Sequence, residues 1–400
     1  HKGHIFLHSF VGDIYKLKFN NYNYSNIIVD GKFKQPIFSG KVIANDPNLY
    51  MDFNGTVDLS AKENIYDFHS KIDYVNLDKL NFLKDSIAVF KGDIVVKATG
   101  NSFDNLKGNL VLSNASYQNK KDIYFVDLLE VNSSFDNNGE RTIIVNSPDA
   151  IQGAVVGKYK FNQVQRMVEN SLGSFYANYK PNKVLPGQYL KFNFDINSKI
   201  IEIFNPDISL SANTQLKGNI GSDSKNFNLD FNSKQVTAYD NVFDNVTLQV
   251  DNQNPLYNAY VQLDSIKTKH YKIRDFSMIN TFANDTLQFR TECKGGKKGL
   301  DFYNLNFYHT INNENKNVVG FTKSELQFKD YLWYLNEKDD LKENKIVFDK
   351  KLTNFSFQDL ILSHENQSIN FVGLIADKVN KDLQLSFKDV NLNKVTPDVD

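Results

Sequence analysis

Lys294-Gly-Gly-Lys-Lys-Gly299 is the stretch that comes nearest to a reactive motif. Glycines beside lysines can cradle a phosphate, but a phosphate loop needs the spacing GxxxxGK[ST]. This stretch lacks that spacing and sits between strand patterns, so it reads as a hairpin tip. His1, His4 and His8 cluster at the start and form a candidate metal site, whereas His270, His309 and His364 are scattered without ligand spacing. Cys293 is the single cysteine, which excludes an intramolecular disulfide and leaves the redox compartment unidentified. It lies in a strand pattern and reads as packed rather than nucleophilic. Asp46 and Asp52 do not make a calcium loop. Trp333, beside Tyr331 and Tyr334, suits a rim and a core equally. No catalytic signature emerges, so the expectation is a protein that is not an enzyme, with no cofactor and no metal.

The composition excludes further classes. The 400 residues carry 46 basic and 47 acidic side chains, a formal net charge of −1, which lacks the basic field of a nucleic-acid surface. There are 32 Phe and 20 Tyr but only 8 Pro, a balance that suits pleated surfaces. No stretch approaches the ~20 apolar residues of a membrane helix, and no signal peptide opens the chain. The first residue is His1 rather than Met, so the chain reads as a piece of a longer protein.

The elements follow from a two-residue rhythm. In Leu49–Leu59, the residues Leu49, Met51, Phe53, Val57 and Leu59 share one parity, and Tyr50, Asp52, Asn54, Thr56 and Asp58 the other. Side chains of a strand alternate between faces, so this strand has one apolar and one wetted face. The rhythm returns at Phe192, Phe194 and Ile196, at Phe227, Leu229 and Phe231, at Val246, Leu248 and Val250, and at Leu383, Leu385 and Phe387. One segment breaks it. From 160 to 179, apolar residues stand three and four apart (Phe161, Val164, Met167, Val168, Leu172, Phe175, Tyr176, Tyr179), which predicts one substantial amphipathic helix. Asn162 is its expected N-cap and Pro181 its stop. Its wide stripe fits packing on the sheet or a plug over the apolar face.

Two repetitions stand out. An apolar-x-Asn/Asp-apolar motif recurs at Tyr24–Ile27, Phe103–Leu106, Phe243–Val246, Ile273–Phe276, Phe302–Leu305 and Phe357–Leu360, where Asn and Asp tolerate bulges. Val75-Asn-Leu-Asp-Lys-Leu80 has the spacing of one helical turn and returns, 315 residues on, as Val390-Asn-Leu-Asn-Lys-Val395. Such self-similarity argues for an open, growing architecture.

A one-sided sheet must bury its apolar face. Helices offer about one element, and a stack of sandwiches would need linkers that are absent. The expected fold is therefore mainly β: a long antiparallel sheet curled into an elongated groove with one helix near 160–179. The expected parts are a groove segment 1–157, a helix insert 158–181 and a groove segment 182–400 that continues into a further repeat. The four triplets and the Leu49–Leu59 parity named above are the expected groove lining. Acyl chains could occupy it, each buried methylene contributing about 0.8 kcal/mol.

Several runs resemble a known family. Asp46-Pro-Asn-Leu-Tyr-Met-Asp-Phe-Asn-Gly-Thr-Val-Asp-Leu-Ser60, Ser147-Pro-Asp-Ala-Ile-Gln-Gly-Ala-Val-Val-Gly157, Val168-Glu-Asn-Ser-Leu-Gly-Ser-Phe-Tyr-Ala-Asn-Tyr-Lys-Pro181 and Asn284-Asp-Thr-Leu287 are similar to the TamB proteins (translocation and assembly module) of Bacteroidetes. The resemblance implies an AsmA-like, bridge-like lipid-transfer protein of the Gram-negative periplasm, anchored in the inner membrane by parts outside this piece. It implies phospholipid acyl chains as cargo, a role in outer-membrane biogenesis and an Omp85-type, TamA-like outer-membrane partner. Two rivals remain: a scaffold or chaperone for outer-membrane protein assembly, and a structural β-repeat protein of the cell surface.

Overall fold

The structure is a computed structural model that describes residues 8–34, 36–60, 62–84, 87–174, 179–223, 226–254, 256–283, 286–377 and 379–397. His1 and His4, and the end of the expected helix at Phe175 and Tyr176, lie outside those residues, as do Asn284 and Asp285. Among the described residues the chain is mainly β: 63% is strand, in 26 strands paired antiparallel, with two α-helices. It divides into two compact units, 1–161 with 190–209, and 162–189 with 210–400.

The first unit holds β1 (His8–Phe19), β2 (Tyr22–Lys34), β3 (Ile37–Asp46), β4 (Leu49–Asp58), β5 (Ile65–Asn76) and β6 (Val89–Thr99). It continues with β7 (Lys107–Gln118), β8 (Ile123–Phe135), β9 (Arg141–Ser147), β10 (Ile151–Lys158), β11 (Tyr189–Ile196) and α2 (Ser198–Phe204). Neighbours in sequence pair antiparallel from β1 to β10. The β1–β2 hairpin turns on Asn20 and Asn21, both at positive φ (48° and 60°), the conformation a two-residue primed turn requires.

Register carries the apolar parity across the strands. Val29, Val42, Phe53, Ser70, Ile94, Leu112 and Leu129 lie opposite one another in turn from β2 to β8. The adjacent row runs Gly31, Gly40, Gly55, Phe68, Val96, Leu110, Val131, Val145 and Gly153. Its glycines permit close approach: a Cβ on Gly55 would stand 2.4 Å from the Asp67 carbonyl oxygen and the Phe68 Cα. The Phe53 ring lies beside Phe38 and Phe68, with centroids 6.1 and 5.1 Å away. The other parity reads Asp30, Lys41, Asn54 and His69 across β2 to β5.

One end of this face is sealed. The segment 77–80 after β5 makes one helical turn, the Leu80 N–H donating to the Asn76 carbonyl (3.1 Å). That turn drops Leu80 onto Tyr24, Ile27, Ala44 and Val75. Asp46 closes the same end. It is fully buried and accepts the Tyr22 hydroxyl (2.7 Å), the Ser25 N–H (2.8 Å) and hydroxyl (2.9 Å), and the Asn48 N–H (2.9 Å).

β12 (Ile208–Leu210) lies mostly in the first unit, and the second unit holds α1 (Phe161–Gly173), whose first residue belongs to the other unit, and β13 (Thr214–Gly221), β14 (Asn228–Ala238), β15 (Asn241–Asp251), β16 (Ala259–Lys267), β17 (Lys272–Ala283) and β18 (Thr286–Gly295). It continues with β19 (Asp301–Ile311), β20 (Asn317–Phe321), β21 (Ser324–Phe328), β22 (Tyr331–Leu335), β23 (Lys345–Phe348), β24 (Phe355–His364), β25 (Gln367–Ala376) and β26 (Asn380–Lys388). Here too one row is apolar apart from Thr291: Leu216, Phe231, Leu248, Val261, Met278, Thr291 and Leu305. Its opposite parity is wholly polar: Asn232, Thr247, Gln262, Ser277, Glu292 and Asn304. The Lys294–Gly299 stretch is the β18–β19 connection, as its spacing predicts.

The Asn/Asp motif marks strain points. Asn26, Asn245, Asp275 and Asp359 all take positive φ, between 41° and 53°, and Asp275 and Asp359 sit inside register shifts of the ladder. These residues tolerate the left-handed region and so accommodate bulges, which increase local twist.

The helix differs from its sequence expectation. α1 begins at Phe161, so Asn162 lies inside it rather than capping it. It ends at Gly173, eight residues before Pro181. Gly173 allows the Tyr179 ring to fold against the helix end, where a Cβ would stand 2.4 Å from the ring. Asn170 fixes that return by accepting from the Asn182 N–H (2.7 Å) and the Tyr179 hydroxyl (3.1 Å). The second helix, α2, was not expected.

Candidate functional site

The candidate site is the apolar parity itself, because it is not sealed. Of the seventeen residues expected to line it, only Ile196 and Phe227 are buried. Leu49, Met51, Phe53, Val57, Phe192, Phe194, Leu229, Phe231, Val246, Leu248 and Val250 are half-buried. Leu383, Leu385 and Phe387 on β26 are 43%, 52% and 54% exposed, and Leu59 lies beyond the end of β4 at 47%. Within the first unit, Gly153 approaches Phe194, which extends the row to β11. Phe227 precedes β14, its N–H donating to the Asn252 side chain (3.0 Å), and serves as a packed strand entry.

Surface area measures the openness. The chain exposes 23695 Å². A compact globule of the same mass would expose ~16,000 Å², and two separate globules of half the mass ~19,000 Å². The excess therefore does not depend on how the two units are arranged. The half-buried and exposed apolar residues of the rows contribute to it.

In the first unit the face deepens into an apolar cavity of about 680 Å³. Its floor is β6 to β10, with Leu112, Leu129 and Val145 central. Leu83 and Lys84, following the sealed turn, form one wall, and Ile200, Ile203 and Phe204 of α2 form the other. Polar contacts at both ends hold α2 in place. The Asn197 N–H donates to the Ala150 carbonyl (2.9 Å), Lys199 pairs with Asp149 (2.6 Å), and the Asn119 amide donates to the Glu202 carbonyl (3.3 Å). The Lys121 ammonium donates to the Pro206 carbonyl. Yet no residue of α2 is buried, and Phe204 is 81% exposed. Sequence reasoning missed this wall. Its signal, Ile200, Ile203 and Phe204 at helical spacing, spans a single turn.

Most polar groups near the face are engaged, while the buried hydroxyls of Ser70 and Thr291 on the apolar rows have no hydrogen-bond partner. Arg141 is buried, and its guanidinium donates to the Phe103 (2.5 Å) and Leu106 (2.6 Å) carbonyls and the Ser133 hydroxyl (2.9 Å). It lies between the Phe135 and Phe161 rings, 5.3 and 5.2 Å away. Burial pushes its pKa down. Burial likewise lowers His309, which contacts the Asn317 side chain (3.1 Å), and raises the Cys293 thiol to about 11. Tyr303 is raised to about 12, and Tyr271, which donates to buried Asp301 (2.6 Å), is raised further, each chiefly by burial. Trp333 is a core residue, fully buried, its indole N–H donating to the Lys394 carbonyl (2.6 Å). These groups brace the sheet, and none forms a nucleophile–base pair.

Among the described residues, no group of three or more His, Cys, Asp or Glu side chains could hold a metal, and no helix is long and apolar enough to cross a membrane. Family models, curated proteins and solved structures give no match to this chain.

Proposed function

We propose that this chain is a non-enzymatic lipid conduit: a segment of a TamB-like, bridge-like lipid-transfer protein whose apolar face carries phospholipid acyl chains between the inner and outer membranes of a Gram-negative cell. One observation carries the reading. Rows of apolar side chains continue from strand to strand within each unit and remain half-buried. Leaving such a surface wet costs ~25 cal/mol per Å² of apolar area, so an amphiphile that covers it is favoured. The attraction is non-directional, and successive rows resemble one another, so a chain sliding along the face meets similar energy at each strand. Headgroups would remain in water. Mass spectrometry of lipid extracted from the purified protein tests this: phospholipid in stoichiometric amounts supports it, and lipid-free protein refutes it.

A further inference from the structure

We infer that the cavity between the 83–84 segment and α2 is a discrete seat for one acyl chain of an anionic phospholipid. The inference rests on the conduit reading but departs from a uniform slide, because this seat is saturable. Three features distinguish it from the rest of the face. It is walled on two sides, by Leu83 and by Ile200 and Ile203. Its volume of about 680 Å³ is over four times the ~150 Å³ cavity that accepts a benzene ring, which gives room for one long chain. Its lining carries a single charge, the exposed Lys84 ammonium, and no carboxylate.

The chemistry selects the occupant. The apolar side of α2 faces the cavity with Ile200 and Ile203 half-buried and Phe204 exposed, so helix and floor leave apolar surface uncovered until something fills the gap. A chain filling it covers both. A phosphate at the mouth would meet the Lys84 ammonium. The ion pair of Lys199 with Asp149 and the Asn119 and Lys121 contacts hold the α2 wall in place without needing the ligand.

Titration with phosphatidylglycerol bearing one pyrene-labelled acyl chain tests the inference on the whole chain. One saturable site per chain is expected. Ile200→Trp, which fills the cavity from a half-exposed helix position, should weaken binding about tenfold, the equivalent of ~1.4 kcal/mol. Lys84→Glu should weaken phosphatidylglycerol severalfold and phosphatidylcholine less, because the choline cation offsets the charge of the phosphate they share. Leu248→Trp, on the open floor of the other unit, should leave the saturable site intact. If Ile200→Trp binds as the unmodified protein does, or binding never saturates at one per chain, the seat is wrong while the conduit stands. If no phospholipid is found on the purified protein and none binds, the conduit reading itself fails. Should Ile200→Trp not fold, phosphatidylglycerol with a diazirine acyl chain decides the matter on the unmodified protein. Adducts concentrated at 112, 129, 145, 200 and 203 uphold the seat, and adducts spread evenly along the rows overturn it.

Discussion

A single charge on the floor should act as a barrier. Leu248 lies between Phe231 and Val261, half-buried on the apolar row, while its neighbour Thr247 lies between Asn232 and Gln262 on the polar one. Removing a half-buried leucine forfeits about 1 kcal/mol, half of the ~1.5–3 kcal/mol for full burial, so Leu248→Asp keeps its fold. The new carboxylate holds water where acyl chains must pass. Stripping that water costs several kcal/mol in an apolar setting; on a half-open face about 2–3 kcal/mol is reasonable, a slowing of roughly 30- to 150-fold. Thr247→Asp places the same charge between Asn232 and Gln262 on the polar face and should transfer lipid at close to the unmodified rate. The assay is transfer of fluorescent phospholipid between vesicles, with phospholipid delivery to the outer membrane in cells at equal protein abundance. If both variants transfer normally, or both lose transfer equally at matched melting temperatures, the apolar row is not the path.

Three further outcomes are expected. Burial pushes the Asp46 carboxyl up, but hydrogen bonds from Asn48, Tyr22 and Ser25 outweigh it and hold the group below its ordinary value. A lowered folded pKa means that its stabilisation is full above the unfolded value of ~3.9 and is lost as pH falls through the folded value. The urea midpoint should therefore fall below about pH 4, and Asp46→Asn should flatten that fall and cost about 1–3 kcal/mol at pH 7; parallel pH curves for the two proteins would exclude the role. Cys293, buried with its thiol raised to about 11, should resist thiol reagents at pH 8 until the protein is unfolded, and rapid labelling of native protein would contradict its packing. Gly55→Ala drives a Cβ to within 2.4 Å of backbone on β5, and should cost on the order of 2–3 kcal/mol in thermal or urea unfolding, whereas an unchanged midpoint would mean that β4 and β5 part easily.

Much of the architecture was legible because a pleated strand converts side-chain order directly into faces. The alternation at Leu49–Val57 and at Leu229–Phe231 places those residues on continuous rows. Of the six repeats of the Asn/Asp motif, four place Asn26, Asn245, Asp275 and Asp359 at positive φ, and only Asp275 and Asp359 lie at register shifts, which the motif alone does not distinguish. The helix end was misjudged because apolar spacing continues past Gly173, while the chain turns there to pack Tyr179 on the helix. α2 escaped notice because one turn of Ile200, Ile203 and Phe204 is too short a pattern to separate from a strand. Trp333 fitted rim or core until the Lys394 carbonyl was found on its indole N–H.

The order of residues by itself determined the strands, their apolar parity and the hairpin tip within Lys294–Gly299, since each depends on neighbours within a few residues. Only the tertiary structure decided how far the apolar parity is covered. Sealing by Leu80 at one end, half-exposure along the rows, and a walled cavity beneath α2 all arise from contacts between residues distant in sequence. Hydropathy marks which surface avoids water, and packing between remote segments determines where that avoidance is left unsatisfied.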